Sequence, residues 1–112
     1  MAKEYGAEPP RTDIDSAPGA MVLEFGDAYC GICSAARPAI EQALAMRPDV
    51  RHLKIADGRG RPLGRSFGIK LWPTLVFLQD GHEVQRLVRP MAAQPIAQAL
   101  QALKSKQPSR CY

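Results

Sequence analysis

The sequence predicts an α/β chain, a mixed central β-sheet with helices on both faces. Three observations carry this. The length of 112 residues suits one ordinary domain. A strand, helix, strand order opens the patterned part of the chain, and an antiparallel pair followed by an amphipathic helix closes it. Composition agrees, since 46% apolar and 23% charged residues are globular proportions.

Each element has a local reason. Residues 1–19 place Gly6, Pro9, Pro10, Pro18 and Gly19 among polar residues without a sustained period. They read as a loosely ordered arm with one helical turn opening at Thr12 or Asp13. Met21-Val22-Leu23-Glu24-Phe25 is a short apolar run between Gly19 and Gly26, the signature of a buried strand, with Glu24 its single charge. From Cys33 to Met46 strong helix formers take over, and Ala36, Ile40, Ala43, Leu44 and Arg47 recur at helical spacing. Pro38 lacks an amide donor and its ring presses on the carbonyl four residues back, which predicts a kink or a restart.

Asp49 to Ile55 alternates apolar with polar and reads as a strand with one covered face, leaving His52 a surface histidine. A short helix is expected over Pro62 to Phe67. Thr74 to Leu78 is a second apolar strand; Asp80-Gly81 supplies a hairpin turn, and Glu83 to Val88 alternates again. A last helix from Gln94 to Lys104 carries the stripe Ile96, Ala97, Leu100 and Leu103. The folded unit is therefore expected over residues 20–104, followed by a polar, frayed tail over 105–112 in which Cys111 is an exposed free thiol.

Several function classes fall away on composition. No run of 18 apolar residues occurs and the start has no apolar segment, so neither a membrane span nor a signal peptide is expected, and the reading is cytoplasmic. Lysine and arginine number 15 against 11 acids, a net charge of +4 that favours acidic partners without requiring them. Gly58, Gly60 and Gly64 with Arg59, Arg61 and Arg65 do not make a phosphate loop, because the glycine spacing is wrong and no Lys-Ser/Thr follows. No aromatic residue interleaves with these arginines, so nucleic acid is not an expected partner.

Chemistry begins at Tyr29-Cys30-Gly31-Ile32-Cys33, between the end of a predicted strand and the start of a predicted helix. A helix N-terminus offers unpaired amide donors and partial positive charge, which suits a thiolate. With two residues between them, the sulfurs can bond across the first helical turn, Cys30 exposed and Cys33 turned toward the core. The same spacing is half of a zinc site, but only Cys111, His52 and His82 remain as ligands and none is spaced as a second knuckle. Leu71-Trp72-Pro73-Thr74 stands just before the second apolar strand, where a cis X-Pro bond turns the backbone sharply at modest cost.

Taken together, Val22-Leu23-Glu24-Phe25, the Cys-Gly-Ile-Cys segment, Pro38 five residues after Cys33, Phe67 to Thr74, and the Asp80-Gly81 turn resemble the thioredoxin family over residues 20–104. The resemblance implies a thioredoxin-like fold, with Cys30 as nucleophile, Cys33 as resolving thiol and Pro73 as the cis proline facing the disulfide. It places Glu24 as a buried acid beneath Cys33 that exchanges its proton; desolvation of an unpaired carboxyl should raise its pKa, and Glu24→Gln should then stabilise the fold. Tyr29, Gly31, Ile32, Trp72, Pro73 and Arg89 would form the substrate surface, the Trp72 amide and carbonyl being free to pair with an extended chain.

The implied activity is reduction of protein disulfides without a metal or organic cofactor. The implied partners are disulfide-containing proteins and a thioredoxin-reductase-like or small-thiol electron donor, the chain acting as a monomer. The alternative is a redox-switched binding module that docks a partner through Tyr29, Ile32 and Trp72 without turnover. Departures from the family pattern include Tyr29 and Ile32 in the active-site segment, Gly26 in place of a tryptophan, His52 where a lysine is common, and Arg89-Pro90 in place of a glycine-containing loop. The first strand and helix of the family have little counterpart in residues 1–19.

Overall fold

Residues 4–104 are described by a computed structural model, in which the order is α1 (Arg11–Asp15), β1 (Ala20–Gly26), α2 (Gly31–Ala45), β2 (Arg51–Ala56), α3 (Pro62–Ser66), β3 (Thr74–Gln79), β4 (His82–Val88) and α4 (Ala93–Leu100). The sheet order is β2-β1-β3-β4. β1 runs parallel to β2 and antiparallel to β3, and β3 pairs antiparallel with β4, so the sheet is mixed as expected. The residues of the predicted tail, Cys111 among them, lie outside the described residues. Among the described residues no helix is long and apolar enough to cross a membrane.

Strand alternation sorts the interior into two cores. Ala20 and Val22 of β1, with Leu75 and Phe77 of β3, pack against Ala36, Ile40 and Leu44 of α2 and Ile96 and Leu100 of α4. Met21, Leu23 and Phe25, with Val76 and Leu78, face the other way onto Ile14 of α1, Leu63 of α3 and the adjacent Phe67. Both faces of β1 are therefore covered, which explains its unbroken burial. Glu24 shares the parity of Val22 and lies on the α2 side of the sheet.

One helix decides between the two expectations for it, and another ends earlier than expected. Helix α2 runs unbroken from Gly31 to Ala45 with Pro38 inside it, so Pro38 does not restart the helix. Helix α4 stops at Leu100 and tightens into a turn closed by Ala102 N–H to Ala99 and Leu103 N–H to Leu100. Arg47 holds that turn, donating to the carbonyls of Leu100 at 2.8 Å and Leu103 at 3.2 Å while paired with Asp49.

The expected loosely ordered arm is held at several points over its described residues. Gly6 bridges to Ile55 at the free edge of β2, donating to Lys54 O at 2.8 Å and accepting from Ala56 N at 3.0 Å. The Glu8 carboxylate accepts from Leu63 N at 2.8 Å at the start of α3, and the Arg11 guanidinium lies 3.7 Å from the centre of the Phe67 ring. One bridge and the five residues of α1 stand where a longer first strand and helix were missing from the sequence pattern. At the hairpin, Asp80 (φ 51°) and Gly81 (φ 84°) both occupy the left-handed region that a tight turn between twisted strands requires.

Candidate active site

Cys30 is the N-cap of α2, half-buried, and its sulfur accepts the Cys33 amide at 3.1 Å. That bond is available because the first-turn amides of a helix have no intrahelical carbonyl, and it strengthens when the sulfur carries charge. One turn on, Cys33 is buried, 4% exposed, on the face that α2 presents to the sheet. Burial pushes the Cys33 thiol up to about 11, with the neighbouring Cys30 sulfur adding to the shift and the Asp27 backbone and Tyr5 hydroxyl opposing it.

The Trp72–Pro73 peptide is cis, as the sequence led us to expect. Thr74, the next residue, pairs with Phe25 of β1, so the cis bond lies at the end of the sheet from which the chain leads into Cys30. The Trp72 indole donates to Asp57 Oδ2 at 2.9 Å. Its carbonyl is not free, contrary to expectation. Arg89 Nε donates to it at 2.8 Å, and the Arg89 amide donates to Pro73 O at 2.7 Å, with Arg89 itself at a positive φ of 52°. Tyr29 stands 95% exposed, Gly31 is exposed and Ile32 half-buried, an apolar rim around the Cys30 sulfur.

Glu24 is buried as expected, at 2% exposure, but not alone. His52 Nε2 lies 2.8 Å from Oε1, the Tyr5 hydroxyl donates to Oε2 at 2.6 Å, and Lys54 Nζ approaches Oε2 at 3.9 Å. Burial works to raise the carboxyl, yet these partners outweigh it and hold the pKa below the usual carboxylate range, the reverse of the sequence-based expectation. His52 is likewise not a surface histidine, being 8% exposed with Nδ1 unpartnered among the described residues. An ionised carboxylate only accepts, so the 2.8 Å contact is a hydrogen bond donated by His52 Nε2–H to Glu24.

Sequence reasoning brought Cys30, Cys33, Glu24 and Pro73 to one end of the sheet and missed Tyr5 and Lys54. Register and packing, not a local pattern, link both to Glu24. His52 and Lys54 share one parity of β2, and Glu24 is the register partner of Lys54 in the adjacent parallel strand. Gly26 is a further sign: a methyl group there would meet Tyr5 Oη at 2.6 Å and Cys33 Sγ at 2.8 Å, so the tyrosine occupies the room that a side chain at 26 would need.

The thioredoxin family model matches residues 8–102. The chain belongs to the thioredoxin family. A thioredoxin of Chlamydia muridarum is 37% identical over 73 residues, an alignment taking in 64% of this chain and 71% of the relative. The solved structure of thioredoxin 2 from Pseudomonas aeruginosa PAO1 in its reduced form is 48% identical, with a TM-score of 0.81 over 91% of this chain and 95% of that one. A thioredoxin from Nicotiana alata shares the fold at a TM-score of 0.71 and 23% identity, covering 85% of this chain and 82% of its own. As a thioredoxin-family protein the chain is a thiol-disulfide oxidoreductase acting on protein disulfides, with Cys30 and Cys33 as a close pair of thiols.

Proposed function

We propose that this protein reduces disulfides in proteins of the cytoplasm by a two-step exchange in which Cys30 attacks and Cys33 resolves. The observation that supports this division of labour is the contrast between the two sulfurs: Cys30 half-exposed at the helix N-cap, Cys33 buried one turn behind it. In the first step the Cys30 thiolate bonds to one sulfur of the target, the target disulfide breaks, and the other target sulfur leaves as a thiolate that takes a proton from solvent. In the second, Cys33 gives up its proton, its sulfur bonds to Cys30, and the remaining target sulfur departs with the electron pair. Glu24 is the proton acceptor on this reading, ionised and held beneath the site.

The resulting Cys30–Cys33 disulfide is returned to the dithiol by a thioredoxin-reductase-like protein or a small thiol. Tyr29, Gly31, Ile32, Trp72 and Pro73 provide the surface on which a monomer meets an extended target, and Arg89 favours targets that carry acidic residues. Cytoplasmic thiol buffers suit this direction of exchange, since they keep a dithiol supplied with electrons.

Reduction of a model protein disulfide by dithiothreitol tests the reading. Wild type should accelerate it, Cys30→Ser should abolish the acceleration, and Cys33→Ser should accumulate a covalent mixed disulfide visible by mass. A wild-type rate equal to that of dithiothreitol alone would instead leave a thioredoxin-family binding module without turnover.

A further inference from the structure

We propose that Tyr5 is a second residue of the proton path, its hydroxyl carrying the Cys33 proton to Oε2 of Glu24. The inference rests on the two-step reading above and adds a group that lies outside the Cys-Gly-Ile-Cys segment and the strand that feeds it. Its basis is geometric. The two Glu24 oxygens are differently occupied: Oε1 faces His52 Nε2 at 2.8 Å, whereas Oε2 accepts from Tyr5 Oη at 2.6 Å. The same hydroxyl and the Cys33 sulfur flank one small space above Gly26, each within 3 Å of where a methyl group would stand. Tyr5 therefore sits between the donor and the acceptor that the resolving step needs.

The surroundings keep it there. Gly6, the next residue, is fastened to β2 through Lys54 O and Ala56 N, and Lys54 Nζ lies 4.4 Å from the centre of the Tyr5 ring. Burial, followed by the neighbouring Glu24 carboxylate, raises the phenol above its ordinary range, so it stays neutral and keeps a proton to pass on. A cavity of about 370 Å³ opens beside Tyr5 and Cys33 and reaches Ser34, Arg37 and Lys54, which joins the path to solvent.

In the resolving step the Cys33 S–H proton passes to Tyr5 Oη as the phenol's own proton passes to Glu24 Oε2. The Cys33–Cys30 bond forms, the bond from Cys30 to the target sulfur breaks, and the target leaves as a thiolate with the electron pair. Glu24 then returns its proton through the phenol to solvent. The charged and titratable groups facing this path are Cys30 at the N-cap of α2, Arg37 from α2, His52 and Lys54 from β2, Asp27 from the loop between β1 and α2, and Glu4 beside Tyr5.

Single-turnover reaction with excess dithionitrobenzoate, in a Cys111→Ser background so that no third thiol reports, separates the steps: the first thionitrobenzoate released marks attack by Cys30, the second marks resolution by Cys33. Absence of both phases would sink the two-step reading itself. With both present in the parent, Tyr5→Phe should slow the second phase by about a hundredfold near neutral pH, the low end of what a positioned proton-transfer group contributes. Its pH midpoint should also move upward, because the hydroxyl that opposes the rise of the Cys33 pKa is gone. Gly26→Ala, which puts a methyl group into the space that the hydroxyl and the sulfur flank and so forces them apart, should slow the same phase, and the double variant should be no slower than the slower single one. A second phase with the parent's rate and pH midpoint in Tyr5→Phe would overturn the proposal, as would a double variant slowed by the product of the two single effects.

Discussion

At Glu24 two opposed effects act on one carboxylate. Removing it from water favours the neutral acid, while His52, Tyr5 and Lys54 favour the anion, and the partners prevail. The consequence for stability reverses the expectation for an unpaired buried carboxyl. Glu24→Gln leaves the Lys54 ammonium, its side chain only 4% exposed, without its counter-charge. Breaking a buried pair by removing one partner costs about 3 kcal/mol. The sign with pH follows from the lowered pKa of the folded state: the stabilisation is fully present above the unfolded carboxylate value and is lost as pH falls through the folded one. Urea unfolding of wild type and Glu24→Gln should therefore show the variant less stable at pH 7 and the gap closing in acid. A variant more stable at pH 7 would mean that desolvation outweighs the three partners after all.

Among the elements, α2 and α4 show how one side chain joins two helices that are far apart in sequence. The last carbonyls of any helix lack intrahelical partners. At α4 they are met by the amides of the following turn, and Arg47, which follows α2 and whose guanidinium is oriented by Asp49 at 3.0 Å, adds a charged donor to the Leu100 carbonyl and to that of Leu103 beyond it. Arg47 sits at helical spacing after Leu44 and read from the sequence as the end of a stripe; its use as a cap for α4 depends on where α4 lies. Hydrogen bonds from a charged donor are worth about 2 kcal/mol. Arg47→Ala should lower stability by about that amount and speed amide exchange over residues 101–104, with dithiol reactivity nearly unchanged. Equal exchange in the two proteins would show that solvent satisfies those carbonyls as well as the arginine does.

For the whole molecule, the net charge of +4 bears on encounter more than on fold. Acidic disulfide targets should be reduced with a kcat/KM that falls several-fold as ionic strength rises from about 0.01 M to about 1 M, over which the screening length shrinks from about 30 Å to about 3 Å. A neutral small disulfide measured alongside should show a flat profile. Parallel decline of both would point to a salt effect on the dithiol itself.

What the sequence by itself determined is whatever depends on near neighbours in the chain. The Cys30–Cys33 spacing at a strand-to-helix junction, the Trp72-Pro73 step before a strand, the Asp80-Gly81 turn and the apolar runs of β1 and β3 are all local, and their elements stand within a few residues of the positions read from the pattern. Alternation along β2 was legible too, but not what covers it. His52 and Lys54 read as a solvent face, since polar residues in alternation ordinarily are, and only the register of β2 beside β1 turns them toward Glu24. Tyr5 was illegible in the same sense. It lies in a segment without a period, and a single bridge from Gly6 to Ile55 brings its hydroxyl over Gly26. The charge state of Glu24 was decided there as well, because burial is a property of one position, whereas the partners that offset it come from two other stretches of the chain, Tyr5 and β2, and meet Glu24 only once the sheet is assembled.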